Sequence, residues 1–296
     1  MLERLARRYT PAWLAQSTKR WISGLRFRMQ IRAARKNYRR DDLSSKHPLL
    51  FIAGLPKSGT SWMESMLASY SGYTTVMPLQ AIAYEQAHKG SHDFELPEEI
   101  FSQLQEALAV LKLHVHGSLH NVRLLREAGI PYVVMYRDLR DVAVSHYFYV
   151  RRTPWHPEYE DYSGLDVEAG LRHFARTLLP GFVDWMCSWR ENRDPEQSIE
   201  LRYEDLLADT VGEFRRVASH FSLDTSPSTI ENIVEEHSFE SMSGGRTRGE
   251  QDSDSFVRKG VAGDWKQHFT PDLKDQFKKH AGQVLIDLGY ETDQSW

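Results

Sequence analysis

Cysteine is nearly absent: Cys187 is the only one in 296 residues. An intrachain disulfide is therefore excluded, and a chain of this length rests on its apolar core, in keeping with a reducing compartment. Long apolar runs are missing too. Around the glycine loop described below, the longest is LLFIAGL (49–55), far short of the ~18–20 apolar residues that span a bilayer. No charged-then-apolar secretory pattern opens the sequence, so a cytoplasmic location is the starting expectation. Internal repeats and low-complexity tracts are also lacking. With 41% hydrophobic and 26% charged residues, the composition is that of a globular protein.

Acidic residues are scarce in one place. Residues 1–40 hold twelve Lys/Arg against the single Glu3, a net of +11, so the rest of the chain carries −15 of the overall −4. Trp21, Leu25 and Met29 recur at i, i+4 and i+8 among arginines, on one face of a helix. Residues 1–45 are thus set apart as a basic amphipathic arm, and 46–296 as the main domain. Two readings of the arm stay open. It lies peripherally in an anionic membrane interface, or it packs on the acidic body or a partner subunit. Nucleic acid is not expected as a partner, because the rest of the chain would repel phosphates.

What is present begins with GLPKSGTSW (54–62). The phosphate loop of nucleotide hydrolases reads G-x-x-x-x-G-K-[ST], with lysine directly after the second glycine. Here Gly54 and Gly59 keep the spacing, Thr60 takes the lysine's place, and Lys57 stands inside the loop. The apolar run 49–54 has strand length. Trp62, Met63, Met66, Leu67 and Tyr70 then fall at helical spacing up to Gly72. Strand, glycine turn and helix N-terminus together form an anion site. With Thr60 and Ser61 after the glycine, a triphosphate would lose its main cation. Lys57 would instead stand beside a departing substituent.

Further along, residues 98–109 read as a helix with Ile100, Phe101, Leu104 and Leu108 on one side. VLKLHVH (110–116) alternates as a strand, placing Lys112, His114 and His116 on one face. That trio suits proton handling. A metal site from His114, His116 and His120 has neither a thiolate nor an evident carboxylate. PYVVMYR (131–137) reads as a buried strand, with Asp138 capping a helix that begins near Asp141, and SIELRY (198–203) as another strand. RDLRDVAVSHY (137–147) offers an arginine and a hydroxyl for a second anion site. In FVRKGVAGDW (256–265), Arg258 and Lys259 precede a glycine, as in a phosphate clamp. Residues 241–263 are rich in Gly, Ser and charge, a loop long enough to serve function. The alternation predicts an α/β single domain, its central, mostly parallel sheet flanked by helices and a P-loop-like phosphate loop after the first core strand.

Taken in order, these segments resemble the cytosolic-type, soluble sulfotransferases, which use 3′-phosphoadenosine 5′-phosphosulfate (PAPS). PKSGTSW (56–62) is similar to that family's 5′-phosphosulfate loop, RDLRDVAVSHY to its 3′-phosphate segment, and RKGVAGDWKQHFT (258–270) to its C-terminal signature. KLH (112–114) matches the lysine-x-histidine element, and RYEDL (202–206) the tyrosine-bearing segment. The resemblance implies PAPS as co-substrate without a required metal, and a small-molecule or lipid acceptor, either a hydroxyl or an amine. It further implies His114 as base, Lys57 assisting the leaving phosphate and Lys112 stabilising the transferring sulfonate. Ser58, Gly59, Thr60 and Ser61 would hold the 5′-phosphate. Arg137, Ser145, Arg258, Lys259 and Gly260 would hold the 3′-phosphate, and Trp62, Tyr203 and Phe239 the adenine.

The sequence departs from the pattern in places. His116 replaces a proline that commonly follows the histidine, and His237-Ser238-Phe239 lacks the usual threonine. The dimerisation element K-x-x-x-T-V-x-x-x-E here reads Lys266, Thr270, Pro271 and Asp275, which leaves a homo-oligomer open. The basic arm tilts the acceptor towards a lipid or amphiphilic alcohol, and the aromatic-dense residues 147–165 suit an acceptor pocket. Two competing functions are a catalytically silent nucleotide-binding module docked through the arm, and a P-loop kinase, against which Thr60 speaks.

Overall fold

A computed structural model describes residues 12–40, 47–89, 92–253, 255 and 257–296, with the side chains of 12–21 and 86 left undescribed. In chain order the elements are α1 (Ala12–Tyr38), β1 (Leu49–Gly54), α2 (Thr60–Ala68), β2 (Thr74–Val76), α3 (Leu79–Ala87), β3 (Ala109–Leu113), α4 (Leu119–Glu127), β4 (Tyr132–Tyr136) and α5 (Leu139–Val150). They continue with α6 (Tyr159–Tyr162), α7 (Val167–Thr177), α8 (Leu179–Asn192), β5 (Ser198–Arg202), α9 (Tyr203–Ala208), α10 (Thr210–His220), α11 (Pro227–Glu236), α12 (Phe239–Ser243) and α13 (Pro271–Asp287).

The strands form one parallel sheet in the order β2-β3-β1-β4-β5. Every residue of β1 and β4 is buried, which is why both read as unbroken apolar runs: helices cover both faces of the sheet. Phe51, Ala53, Leu111 and Val134 turn towards α5, α7, α8 and α13, where Val142, Phe174, Trp185 and Phe277 complete one core. Leu50, Ile52, Val110 and Val133 turn to the other face, against Met63 and Met66 of α2, Phe214 of α10 and Ile230 of α11. From β1 the chain goes out to β2 and back to β3 on one side of it, then crosses to β4 on the other. The crevice beyond β1 is therefore the switch point at which open α/β sheets bind ligands.

Three sequence expectations change. Residues 98–109 are not an α-helix; a turn leads into one 3-10 turn, Ser102–Leu104. Glu106 adopts φ 55, a left-handed conformation that stops helical propagation. Leu108 already belongs to the sheet edge, its N–H bonded to Ala34 O and its carbonyl accepting from Thr74 N. Ile100, Leu104 and Leu108 are buried all the same. The second strand-like run, 110–116, ends at Leu113. The expected helix after Asp138 starts at Leu139, with the Asp138 carboxylate accepting from Arg140 N at 2.9 Å.

α1 is a continuous helix through Gly24. Its later half packs on the body. Ile31 and Ala34 are buried in the core, and Asn37 donates to Gly72 O at 2.9 Å. Ile22, Leu25 and Met29 are exposed on the opposite side, and Trp13 and Trp21 have side chains outside the described set. Thr270 caps α13 and Pro271 is its first residue, so the departure from the dimerisation element coincides with a helix start.

Candidate active site

A cavity of about 560 Å³ opens beyond the C-terminal ends of β1, β3 and β4. Its floor is the turn 55–59. Lys57 (φ 67) and Gly59 (φ 78) are both left-handed, a backbone form that turns successive N–H groups inward as an anion nest. Gly59 also permits close packing: a Cβ there would come within 2.7 Å of the Tyr203 ring. α2 starts directly after it, with no side chain capping its first turn. Ser58 is buried and its Oγ has no hydrogen-bond partner.

Cations gather around this turn. Lys112, at the end of β3, donates to Ser61 Oγ at 3.0 Å and pairs with Glu64 at 3.3 Å. Arg137 leaves the end of β4 and donates to Val261 O at 2.8 Å and Lys57 O at 3.4 Å. Its guanidinium lies over Tyr203 at 4.2 Å, and its buried Nε is unpartnered. The Lys57 ammonium lies 3.9 Å from the Tyr149 ring centre. Burial, with Arg152, Arg137, Lys112 and Arg258 nearby, pushes its pKa down to about 7. Arg137 also pairs with Asp141 at 3.3 Å; cations still outnumber the carboxylates around the turn, a balance that suits a polyanion.

The remaining wall comes from residues 239–265. Asp141 accepts from Gly263 N at 2.7 Å and Trp265 N at 2.9 Å, tying this segment to α5. Asp264 pairs with Arg258 at 2.5 Å and Lys259 at 2.6 Å. Burial raises the Asp264 carboxyl's pKa, but the neighbouring His268 at 3.6 Å and the bonds from Lys259 and Arg258 outweigh it and hold the group far below the usual carboxylate range. Gly260 (φ 66) lies against Phe239, where a Cβ would come within 2.3 Å of the ring. Arg246 donates to Glu250 O at 3.1 Å and Arg258 O at 2.9 Å, which organises the long loop from within. Trp62 is fixed by an Nε1 hydrogen bond to His237 O at 2.8 Å. Together Trp62, Tyr203 and Phe239 present flat rings to one cavity.

His114 follows β3 directly. Its Nδ1 lies 2.6 Å from Gly54 O. A carbonyl only accepts, so Nδ1 carries the proton and Nε2 keeps its lone pair. Burial and Lys112 lower the His114 pKa, which keeps the ring neutral at physiological pH. A neutral imidazole of fixed tautomer is a competent general base.

Of the residues proposed from sequence, Lys57, Gly59, Thr60, Ser61, Trp62, Lys112, His114, Arg137, Ser145, Tyr203, Phe239, Arg258, Lys259 and Gly260 all line this cavity. Ser58 sits behind its wall. His116 does not join: the strand ends before it, and its Nε2 binds Asp184 at 2.8 Å. His120 bonds Leu96 O at 2.8 Å, so the three histidines serve three separate partners. Sequence reading missed Glu85, His92, His146 and Arg248 as cavity residues. Arg248, 5.9 Å from the Trp62 ring centre, lay within a loop already marked by its length and charge. The others have no local pattern to betray them.

Residues 47–289 match the model of the sulfotransferase domain family. Human sulfotransferase 1C2 is 25% identical over 243 residues, covering 77% of this chain and 80% of that protein. A flavonol sulfotransferase-like protein of Flaveria bidentis is 25% identical, covering 81% of this chain and 82% of the relative. Among solved structures, a mouse sulfotransferase complexed with PAP superimposes with a TM-score of 0.60 at 20% identity, over 87% of this chain and 92% of that one. Retinol dehydratase in complex with androsterone and the inactive cofactor PAP gives 0.55 at 20% identity, over 85% and 86%. The match spans nearly the whole domain that builds the cavity, and the chain belongs to the sulfotransferase domain family.

Proposed function

We propose that this protein transfers a sulfuryl group from PAPS to a hydroxyl on a small-molecule acceptor. The observation that carries this reading is the joint placement of a tautomer-fixed neutral His114 and a cation-rimmed nest holding Lys57 in one cavity. The residues fit the nucleotide: the unpartnered Ser58 Oγ and Arg137 Nε are buried groups that an incoming phosphate would satisfy. Flat rings at Trp62, Tyr203 and Phe239 suit a base. When bound, PAPS supplies the sulfuryl group on a monophosphate leaving group. Ser58, Thr60, Ser61 and the backbone around Gly59 would hold the 5′ end. Arg137, Ser145, Arg258, Lys259 and Gly260 would hold the 3′-phosphate.

His114 Nε2 takes the acceptor's hydroxyl proton as that oxygen bonds to sulfur, a contribution of about 10²–10⁴-fold. Lys57 faces the oxygen released when the old S–O bond breaks, and its ammonium neutralises or protonates it. Lys112, held by Ser61 and Glu64, stabilises the group in transit. All three stand in one cavity, which argues against a catalytically silent module. The structural neighbour crystallised with androsterone supports a small hydroxyl compound as acceptor. The test follows PAP release with PAPS and an acceptor panel, alongside PAP binding by calorimetry. Lys57→Ala and His114→Ala should each lower turnover at least about 100-fold; wild-type rates in both would refute the assigned roles.

Peripheral membrane attachment through α1 belongs to the same proposal. Arg26, Arg28 and Arg32 are exposed beside Ile22, Leu25 and Met29, matching an anionic surface in charge and apolar reach. Cosedimentation with phosphatidylserine vesicles should fall when these three arginines become glutamate. Equal sedimentation of the two proteins would refute attachment.

A further inference from the structure

The cavity is divided by charge. Its donor side carries Lys57, Lys112, Arg137, Arg248, Arg258 and Lys259; the side beyond His114 carries two carboxylates, Glu85 and Glu158. Glu158 is 96% buried, since only 4% of its surface is exposed. No donor satisfies its Oε2: His146 Nε2 is 2.8 Å away but off the hydrogen-bonding direction, and His156 Nδ1 is 3.7 Å away. His156 Nδ1 accepts from the Glu158 backbone N–H at 3.3 Å, so this atom has no proton to give the carboxylate. Among the described residues, no lysine or arginine pairs with Glu158, and Glu85 makes no hydrogen bond or ion pair. Both carboxylates belong to the neighbourhood of the base. Glu85 acts electrostatically on His114, and His92 bridges the His114 ring, 5.7 Å away, to His146 beside Glu158.

A buried carboxylate whose only basic neighbours are two histidines, neither donating to its Oε2, is costly unless a further partner arrives. With the polyanionic donor opposite, an acceptor that brings a positive charge would complete both halves of the cavity. Resting on the sulfotransferase reading, we propose that the acceptor is an alcohol or phenol bearing a protonated amine, whose ammonium is held by the Glu158 carboxylate with Glu85 on the approach. The amine is thereby kept away from the base, and the hydroxyl is presented to His114 Nε2.

The test compares acceptors of equal shape: tyramine against 4-propylphenol, and 6-aminohexan-1-ol against heptan-1-ol. For the wild type, kcat/KM should favour the ammonium member at least about tenfold. Glu158→Gln should bring that ratio near one, with KM of the ammonium member rising far more than KM of the neutral member. A purely structural role for Glu158 would instead lower both members alike, and that result would overturn the proposal. Should Glu158→Gln fail to fold, the wild-type ratio and Glu85→Gln carry the test: a ratio near one in the wild type, or one unmoved in Glu85→Gln, refutes it. If no pair is turned over, binding of tyramine and 4-propylphenol to the PAP-saturated protein by saturation-transfer NMR decides, equal binding refuting it. PAP binding by calorimetry separates the two claims, since its absence sinks the sulfotransferase reading itself.

Discussion

Lys57 is held near its titration point by the burial and crowding of cations that make the site attract phosphate. The protonated amine is the form a phosphate prefers, so binding must raise its pKa above about 7. Below pH 7 the lysine is already charged and affinity for PAP should be flat. As pH rises past that value a proton must be taken up on binding, and affinity should weaken by up to about tenfold per pH unit. Calorimetry in buffers of different ionisation enthalpy should show this uptake at pH 8 and its loss in Lys57→Met. His114 shows the opposite economy of evidence. KLH named it, but only the Gly54 carbonyl fixes which nitrogen is free. Glu158 lay within the aromatic-dense residues 147–165 marked for an acceptor pocket, but nothing in the sequence singled it out, because its meaning lies in what does not contact it.

At the scale of elements, β1 and β4 were readable as unbroken apolar runs because the sheet is covered on both faces, and β3 by its alternation, whereas the three-residue β2 carried too short a pattern to be read. The segment 98–109 was not, because its apolar spacing serves a turn that buries the same side chains without a helix. The clamp between α5 and residues 260–265 has no sequence signature beyond RDLRD and GDW standing far apart. Asp141 nonetheless joins them with two backbone bonds. Asp141→Ala should leave these two N–H groups unsatisfied at about 1–3 kcal/mol each, lower the denaturation midpoint and weaken PAP binding. Gly260→Ala places a methyl on Phe239 at positive φ. It should weaken PAP binding at least about tenfold, since about 1 kcal/mol or more of backbone strain adds to a displaced ring. Unchanged affinity would show that Phe239 does not border the nucleotide.

On the scale of the whole molecule, the split in charge between residues 1–40 and the rest was plain from the sequence. How α1 divides its allegiance was not. Its later half joins the core through Ile31 and Ala34, and its earlier half turns Ile22, Leu25 and Met29 outward. Removing residues 1–40 should cost roughly 2–4 kcal/mol of stability in lost burial and hydrogen bonds and lower the urea midpoint accordingly. The donor side also has a timetable. Its first cation, Lys57, leaves the ribosome early, but Arg137 reaches Val261, and Arg258 and Lys259 rest on Asp264. During synthesis the nucleotide therefore has nothing complete to grip until residues 258–264 have emerged and docked, long after Lys57 has.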